Sequence, residues 1–339
     1  MNPTSTRTVL ASVDDRLGPA DQRFFGRGFR RVAYDMSEVR RTRGADGAVR
    51  ARSTVGVRYP ADWSKKAAAT DLRPHFSTVD GIVIAAQLAG TCLVGSGADL
   101  RDAWLRTVRL TAGGGPQEEL SGLPAEAVVR RTEPVAGNPA RAESVVDCTV
   151  GSMRIRCAID HARLPDRPAG EPETATAALD AFLGPAAARY FGLGFTTRRQ
   201  YVRDVDVDHR DLRAAATLTV AHEDTATVPT EGLEGAYQPA VSVIDAFVTA
   251  LQLAQVMLYD LDGMRRQDSN TLWMRQTTLS AARPDRPARD IPVTTRLADP
   301  GLLRMGGGTW RTLDVVGELG GIHVRSAVAH QLPEGHPAA

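Results

Sequence analysis

Two segments of the chain would be apolar on every side if they folded as helices. They read DGIVIAAQLAGTCLV (residues 80–94) and DAFVTALQLAQVMLY (residues 245–259), and their apolar residues are not confined to one stripe. A helix that is apolar all round must be enclosed by other elements. The pattern therefore predicts two buried central helices, each about 22 Å long at about 1.5 Å per residue.

The residues ahead of these segments indicate where both helices begin. Ser77 stands three residues before Asp80, and Ser242 stands three residues before Asp245. Both pairs fit the capping box, in which the serine hydroxyl and the acidic side chain satisfy each other's free backbone amides. The sequence predicts the same start for both helices.

Segments with alternating apolar and polar residues flank the helices. This period of two is typical of β-strands, and it occurs in the segments RSTVGVRY (52–59), WLRTVRLTA (104–112), AATLTVAH (215–222) and LWMRQTTLS (272–280). A curved antiparallel sheet wrapped around one central helix buries such a helix. This arrangement is the α+β hotdog fold, and two helices predict two copies of it.

A phrase that occurs twice supports the duplication. DDRLGPADQRFFGRGF (14–29) matches DAFLGPAAARYFGLGF (180–195) at a shift of 166, with ten identities in sixteen positions. PHFSTVDGIVIAAQLA (74–89) matches PAVSVIDAFVTALQLA (239–254) with eight identities in sixteen positions. Because order and spacing are kept along the chain, we interpret the chain as a tandem duplication.

The duplication predicts the domain boundaries. We expect an N-terminal hotdog repeat over residues 1–161 and a C-terminal hotdog repeat over residues 175–333, followed by a short tail at 334–339. The segment 162–174 between the repeats is rich in proline and charge, with few apolar residues, and we interpret it as a linker. This double hotdog would place the two repeats together like the subunits of a dimer.

Composition excludes several classes of function. The 41 basic and 40 acidic residues nearly cancel, so the sequence predicts neither a nucleic-acid-binding nor a membrane-binding protein. The N-terminus lacks the apolar core of a secretory signal, and we expect a cytoplasmic protein. The three cysteines are interpreted as buried free thiols. No Cys/His cluster has zinc spacing, and no cofactor is predicted.

Residues that differ between the two halves are candidates for a specialised function, since both halves had to keep folding. His75 lies just before the first long helix, and its counterpart in the second half is Ala240. A neutral imidazole there can act as a general base, and the helix amides can stabilise an oxyanion. The alternative is a histidine in a surface loop.

Asp80 and Asp245 are candidate catalytic acids, with a purely structural role as helix caps as the alternative. Gln87 and Gln252 occupy matching positions within the apolar helices. A buried amide must find partners, either in the surrounding sheet or in a substrate carbonyl that it orients.

Three arginines are candidates for binding an anionic group of the substrate. Arg23 and Arg189 occupy matching positions in the repeated phrase, and Arg73 lies two residues before His75. A guanidinium can hold a carboxylate or phosphate with two hydrogen bonds. Structural ion pairs are the alternative for Arg23 and Arg189.

The phrases DDRLGPADQRFFGRGFRRVAYD and PHFSTVDGIVIAAQLAG resemble those of the avirulence D (AvrD) proteins, which occur in plant-pathogenic pseudomonads and also in actinomycetes. The resemblance covers most of the chain. This resemblance implies an enzyme of signalling-lipid biosynthesis. Its substrates would be a β-ketoacyl thioester, carried by acyl carrier protein or CoA, and a sugar acceptor, which combine into acyl glycosides of the syringolide type. The chemistry is similar to that of AfsA-type butyrolactone synthases, which also resemble double hotdogs. Whether two chains also associate into a homodimer is left open by the sequence.

There is a wider similarity to hotdog dehydratases. The segment from His75-Phe76 to Gly81 resembles their histidine motif in a shortened form, and Asp245-Ala246 after Pro239 resembles the acidic motif of their second half. The shorter histidine segment, and Asp80-Gly81 where those enzymes have Pro-Gly, put dehydration in doubt.

Three functions are therefore open from the sequence. The first is acyl transfer to a sugar or polyol, and the second is dehydration or hydration of a β-hydroxyacyl thioester. The third is binding of acyl signals without catalysis.

Overall fold

The computed structural model describes residues 6–36, 38–64, 73–163, 173–223, 228–270 and 272–333. Most of the predicted linker and the predicted tail at 334–339 lie outside these residues. The α-helices in the described ranges are α1 (Asp14–Leu17), α2 (Thr78–Gly95), α3 (Leu179–Leu183) and α4 (Val243–Leu261). The strands there are β1 (Arg7–Ser12), β2 (Ala33–Asp35), β3 (Val39–Arg43), β4 (Val49–Arg58), β5 (Trp104–Thr111), β6 (Leu123–Val135), β7 (Asn138–Val150), β8 (Met153–Ala162), β9 (Glu173–Ala177), β10 (Arg198–Asp208), β11 (Arg213–His222), β12 (Leu272–Ala281), β13 (Ile291–Met305), β14 (Gly308–Leu319) and β15 (Ile322–Gln331).

The two long helices, α2 and α4, begin where the sequence predicts. The Ser77 hydroxyl accepts a hydrogen bond from the Asp80 amide at 3.2 Å, and the Asp80 carboxylate accepts one from the Ser77 amide at 2.7 Å. Ser242 and Asp245 form the same capping box at the start of α4. Two free amides are satisfied at each helix start, and both capping predictions are confirmed.

The strands form one antiparallel sheet. Corresponding strands of the two halves follow the same order from the centre of the sheet to either edge. Neighbours follow the order β1-β10-β11-β13-β14-β15-β12-β5-β8-β7-β6-β4-β3-β9, and β2 pairs with β4. β12 and β5 meet at the centre, with Gln276 opposite Thr111. Outward from this pair, β15, β14, β13 and β11 match β8, β7, β6 and β4. The α+β class and the four alternating segments predicted as strands are confirmed.

The outermost strands are exchanged between the halves. β1 comes from the N-terminal end of the chain, yet it pairs with β10, in the second half. β9 opens the second half, and it pairs with β3 of the first. Each half thus supplies an edge strand that pairs with a strand of the other half.

Both long helices are enclosed by strands of their own half. α2 contacts the six strands β3 to β8, and α4 contacts the six strands β10 to β15. Each helix is long and apolar enough to span a membrane, but 89% of each such stretch is buried inside the protein. The enclosure predicted from the all-round apolar pattern is confirmed.

The three cysteines lie in this interior. Cys92 is on α2, Cys148 on β7 and Cys157 on β8, and all three are free and buried. The interpretation as buried free thiols is confirmed.

Candidate active site

The carboxylate at the start of α2 is fully buried among neutral donors. The Tyr34 hydroxyl donates to one oxygen of Asp80 at 2.8 Å, and the Tyr59 hydroxyl donates to the other. Burial raises the pKa of Asp80, although hydrogen bonds from Tyr59, Ser77 and Tyr34 oppose the shift. The pKa values of both tyrosines are raised, first by their own burial and then by the charge of Asp80. Asp80 is therefore a carboxyl group that holds its proton more tightly than usual.

The carboxylate at the start of α4 has a cation beside it instead. Arg198 is fully buried and forms an ion pair with Asp245 at 2.7 Å, and the Gln200 side-chain amide also donates to Asp245 at 2.7 Å. Burial opposes ionisation of Asp245, but the Arg198 charge and the hydrogen bonds outweigh it and lower the pKa. The two matching aspartates thus have opposite pKa shifts.

A cavity lies at the seam between the two halves, beside the start of α2. Its volume is about 60 Å³. Residues of the first and the second half line it: Arg23, Phe24, Phe25, Tyr59, Trp63, Ser64, His75, Ser77, Gln255, Tyr259, Arg266, Asn270, Leu272 and Met274. We call it the seam cavity. Its lining combines aromatic and aliphatic side chains with a few polar groups, as in sites for small molecules.

His75 is partly buried and lies between two cavities. It lines the seam cavity and also an adjoining cavity that contains Thr78 and Gln117. The Tyr59 hydroxyl is 3.0 Å from the backbone oxygen of His75 and also contacts Asp80, so the histidine backbone is linked to that carboxylate. Burial lowers the pKa of His75 below its ordinary value of 6.5. The imidazole is therefore neutral at neutral pH, as a general base requires.

Two guanidinium groups give the seam cavity positive charge. Arg23 is paired with Asp14 and donates to the Gln252 side-chain oxygen at 2.6 Å, and burial lowers the pKa of Arg23 to about 10. Arg266 donates to the backbone oxygen of Gln22 at 2.8 Å. An anionic group or a developing oxyanion would be attracted to this end of the cavity.

The counterpart of the Arg23–Gln252 contact is a contact between Arg189 and Gln87, and it lies outside the seam cavity. Arg189 donates to the Gln87 side-chain oxygen at 3.0 Å and forms an ion pair with Asp180 at 2.6 Å. Both Arg189 and Gln87 line a different cavity, next to Tyr34. Arg73 is exposed on the surface, 3.8 Å from Glu118.

The structure thus brings together some of the predicted site residues. His75 and Arg23 share the seam cavity, Gln252 contacts Arg23, and Asp80 is joined to His75 through Tyr59. Apart from His75 and Arg23, the described lining of that cavity includes none of the predicted residues, which are Asp80, Asp245, Gln87, Gln252, Arg189 and Arg73.

Sequence reasoning missed three residues that define these environments. Tyr34 and Tyr59 surround Asp80, and Arg198 pairs with Asp245. Tyr59 does end the alternating segment RSTVGVRY, but the pattern gives no sign of its contact with α2. Among the described residues, no three histidine, cysteine or acidic side chains are grouped closely enough to hold a metal ion.

Comparison with solved structures finds similar chain paths at low identity. A conserved protein of unknown function with hot dog fold from Alicyclobacillus acidocaldarius is 9% identical over 91% of this chain and 98% of its own, with a TM-score of 0.34. The dehydratase domain of PpsC from Mycobacterium tuberculosis, in complex with C12:1-CoA, is 12% identical over 85% and 95%, with a TM-score of 0.37. The tesB protein of Mycobacterium avium subs paratuberculosis is 10% identical over 84% and 93%, with a TM-score of 0.36.

Comparison with curated proteins finds no match. Comparison with protein families gives a match over nearly the whole chain: residues 8–333 match the Pseudomonas avirulence D protein family. This span includes both long helices, the repeated phrase and every residue that lines the seam cavity. The chain belongs to the AvrD family.

Proposed function

We propose that this protein is an acyl-thioester-dependent enzyme that transfers a β-ketoacyl group to a small sugar or polyol. The observation that carries the proposal is the position of His75. Its imidazole is partly buried at the start of a long buried helix, in a cavity lined by apolar side chains and two arginines. The acyl glycoside chemistry implied by the family resemblance requires such a base beside an acyl-binding surface.

We also infer that residues 1–161 and 175–333 are two hotdog repeats. The symmetric strand order and the enclosure of each long helix by six strands of its own half support this inference. The seam between the repeats is then the expected place for a single site that uses both halves. The seam cavity has residues of both, with Ser77 from the first half and Tyr259 from the second.

His75 would act as the general base. In the proposed step, the sugar hydroxyl gives its proton to the imidazole while its oxygen attacks the thioester carbonyl. The C–O bond of the ester forms, the C–S bond breaks, and the imidazolium returns the proton to the leaving thiolate. Asp80 would act through Tyr59 as a positioning residue, because Tyr59 contacts both Asp80 and the His75 backbone.

The first turn of α2 would stabilise the oxyanion. The N–H groups in the first turn of a helix have no acceptor within the helix, and the helix dipole places positive charge there. Thr78 begins α2 and lines the cavity that adjoins His75. Such a donor contributes roughly 10² to 10³-fold to the rate of acyl transfer.

The acyl chain would lie against the aromatic and aliphatic part of the seam cavity. Phe24, Phe25, Trp63, Leu272 and Met274 provide this surface. The cavity of about 60 Å³ is well below the roughly 300–1,000 Å³ of small-molecule sites, so binding requires the lining to open. Met274 is suited to such a change, because its unbranched side chain repacks easily.

A dehydratase is the second candidate, and the raised pKa of Asp80 favours it. A carboxyl group that holds its proton more tightly than usual, joined to a neutral histidine, suits the acid and base steps on a β-hydroxyacyl thioester. Asp245, the acid predicted from the dehydratase resemblance, is paired with Arg198 and lies outside the described lining of the seam cavity. Its catalytic role stays a prediction. Asp80 does not line that cavity either, but Tyr59 joins it to the His75 backbone, and this contact favours Asp80.

Parallel reactions distinguish the functions. The protein is incubated with a β-ketoacyl-CoA or a β-hydroxyacyl-CoA, each with and without a pentulose, and thiol release and products are followed by mass spectrometry. Acyl transfer predicts one ester formed per thiol released, with the β-ketoacyl substrate and the sugar only. Loss of water from the β-hydroxyacyl substrate without the sugar would support the dehydratase. Thermal stabilisation by either thioester with no turnover would support a non-catalytic binder.

A further inference from the structure

A second cavity lies on the other side of the repeated phrase from the seam cavity. Its volume is about 220 Å³. Within the phrase, Arg23 and Phe25 line the seam cavity, whereas Gly26 and Arg27 line this one, together with Arg30 just after the phrase. Arg199 and Arg203 of β10 complete a set of four guanidinium groups around it. We call it the arginine cavity.

Arg30 is buried without full use of its hydrogen bonds. Its side chain is 4% exposed, and its Nη1 atom donates weakly to Glu223 at 3.3 Å and to the Thr196 backbone oxygen at 3.4 Å. Its Nε atom is buried with no hydrogen-bond partner among the described residues. The side-chain oxygen of Gln200, which also lines the cavity, is likewise buried without a partner in that part of the chain. Buried polar atoms without partners are rare and call for an explanation, such as a ligand or an ion.

Positive charge exceeds negative charge around the cavity. In the described ranges, no carboxylate lies within ion-pair distance of Arg199 or Arg203, whose guanidinium carbons lie 5.4 and 5.1 Å from the Tyr201 ring centre. Glu223 faces Arg30, and it is 4.0 Å from Arg27. Glu223 is not in the lining, whose two acids are Asp21 and Asp14, and Asp14 is already paired with Arg23.

A matching cavity, lined by residues of both halves, lacks arginine counterparts of Arg27, Arg30 and Arg199. The cavity that contains Arg189 and Gln87 uses counterparts of the arginine-cavity residues at a shift of 166, including Ala186 for Ala20 and Gly192 for Gly26. At the charged positions it has other residues: Leu193 for Arg27, Thr196 for Arg30 and Ala33 for Arg199. A role in folding would apply to both cavities. The arginines therefore indicate a function specific to the arginine cavity.

We propose that the arginine cavity binds the phosphate group of a phosphate-bearing ligand. An arginine side chain can bind a phosphate group with two parallel hydrogen bonds. Four guanidinium groups around one small cavity provide more donors than the two oxygens of a carboxylate can accept, so a phosphate group fits better. The phosphate can come from the carrier of the acyl thioester or from a phosphorylated acceptor. That choice rests on the proposed function, whereas phosphate binding itself does not.

The test measures binding independently of turnover. Inorganic phosphate is titrated into the full chain at low ionic strength and followed by calorimetry. The variant R27L/R30T/R199A copies the matching cavity, and R52L removes an exposed arginine whose partner is Glu126 on the sheet. We expect at least a tenfold loss of phosphate affinity in the triple variant and no change in R52L. Equal affinity in all three proteins, or an equal loss in both variants, would overturn the proposal.

The triple variant replaces the buried Arg30 and can therefore lose its fold. A second variant tests phosphate binding with Arg30 in place. R27L/R199A changes only exposed side chains, and we expect it to keep the wild-type melting temperature and lose phosphate affinity about threefold or more. An unchanged affinity would contradict the proposal.

Competition identifies the source of the phosphate. We compare how well CoA and pantetheine displace bound inorganic phosphate, and we make the same comparison for a pentulose phosphate and the free pentulose. Displacement by CoA alone assigns the site to the carrier, and displacement by the sugar phosphate alone assigns it to the acceptor. If neither phosphorylated compound displaces phosphate better than its unphosphorylated partner, the proposal is wrong.

Discussion

Arg23, in a loop of the first half, donates a hydrogen bond from Nη1 to the side-chain oxygen of Gln252, on the long helix of the second half, at 2.6 Å. The reverse pair, Arg189 to Gln87, has a length of 3.0 Å. Each half therefore reaches into the buried helix of the other with a charged donor. These two contacts, together with the exchanged edge strands, tie the halves together.

Removing either partner of the first pair should destabilise the fold. In Gln252→Leu, the buried guanidinium of Arg23 loses an acceptor, and a hydrogen bond to a charged group contributes about 1.5–3 kcal/mol. A double-mutant cycle with Arg23→Met, followed by urea unfolding, should give a coupling free energy of about 1–3 kcal/mol. Gln255→Leu is the control, because among the described residues its amide donates only to the Tyr259 hydroxyl, at 3.3 Å. Additive effects of Arg23→Met and Gln252→Leu would show that the contact does not hold the halves together.

The two helix-start aspartates should respond differently to the same change. In Asp245→Asn, the buried Arg198 loses its counter-ion, which costs about 3–5 kcal/mol. In Asp80→Asn, only hydrogen bonds with neutral donors change, and the expected loss is about 1–2 kcal/mol. Denaturant unfolding of both variants measures the difference. A larger loss in Asp80→Asn would mean that the ion pair adds little.

The pH dependence of these losses should have opposite signs. The pKa of Asp245 is lowered in the folded state, so its contribution is present above the unfolded pKa and is lost as pH falls through the folded pKa. The pKa of Asp80 is raised, so its contribution is fully present below the unfolded pKa and is lost as pH rises through the folded pKa. Unfolding free energies should show the deficit of Asp245→Asn shrinking toward acid pH while the deficit of Asp80→Asn grows. Parallel pH profiles would contradict the assigned shifts.

Catalysis should depend on the protonation of His75. Because burial lowers the pKa of His75, the acidic limb of a plot of kcat/KM against pH should have a midpoint below the ordinary 6.5. Above that midpoint the imidazole is neutral and the base is active. Thioester turnover measured from pH 4.5 to 8 gives the profile. An acidic midpoint above 6.5 would show that the titrating base is not this histidine.

The sequence was sufficient to predict the helices and strands, but not which distant side chains contact them. The all-round apolar pattern and the serine-aspartate spacing predicted α2, α4 and their capping boxes, because these features depend on neighbouring residues. The partner of Gln252 is 229 residues away along the chain, and no local pattern specifies it. The surrounding sheet was one of two predicted partners of this amide, and the structure has an arginine from the opposite half in that place.

The same limit applies to the candidate site. The difference between His75 and Ala240 was visible in the repeat, and so were the matching aspartates. Their opposite pKa shifts were not, because they depend on whether a tyrosine or an arginine reaches the helix start from a distant strand. Tyr34 matches Gln200 at the repeat shift, while Arg198 matches Val32. These replacements become informative only once the fold places them beside the carboxylates.

Replacing His75 tests the central claim most directly. The variants His75→Ala and His75→Gln are compared with wild type for ester formation from a β-ketoacyl-CoA and a pentulose, and His323→Ala, on the exposed surface of β15, is the control. We expect both His75 variants to keep the wild-type melting temperature within a few degrees and to lose roughly 10² to 10⁴-fold in kcat, the usual contribution of a general base. His75 variants that are folded and form the ester at the wild-type rate would contradict the account.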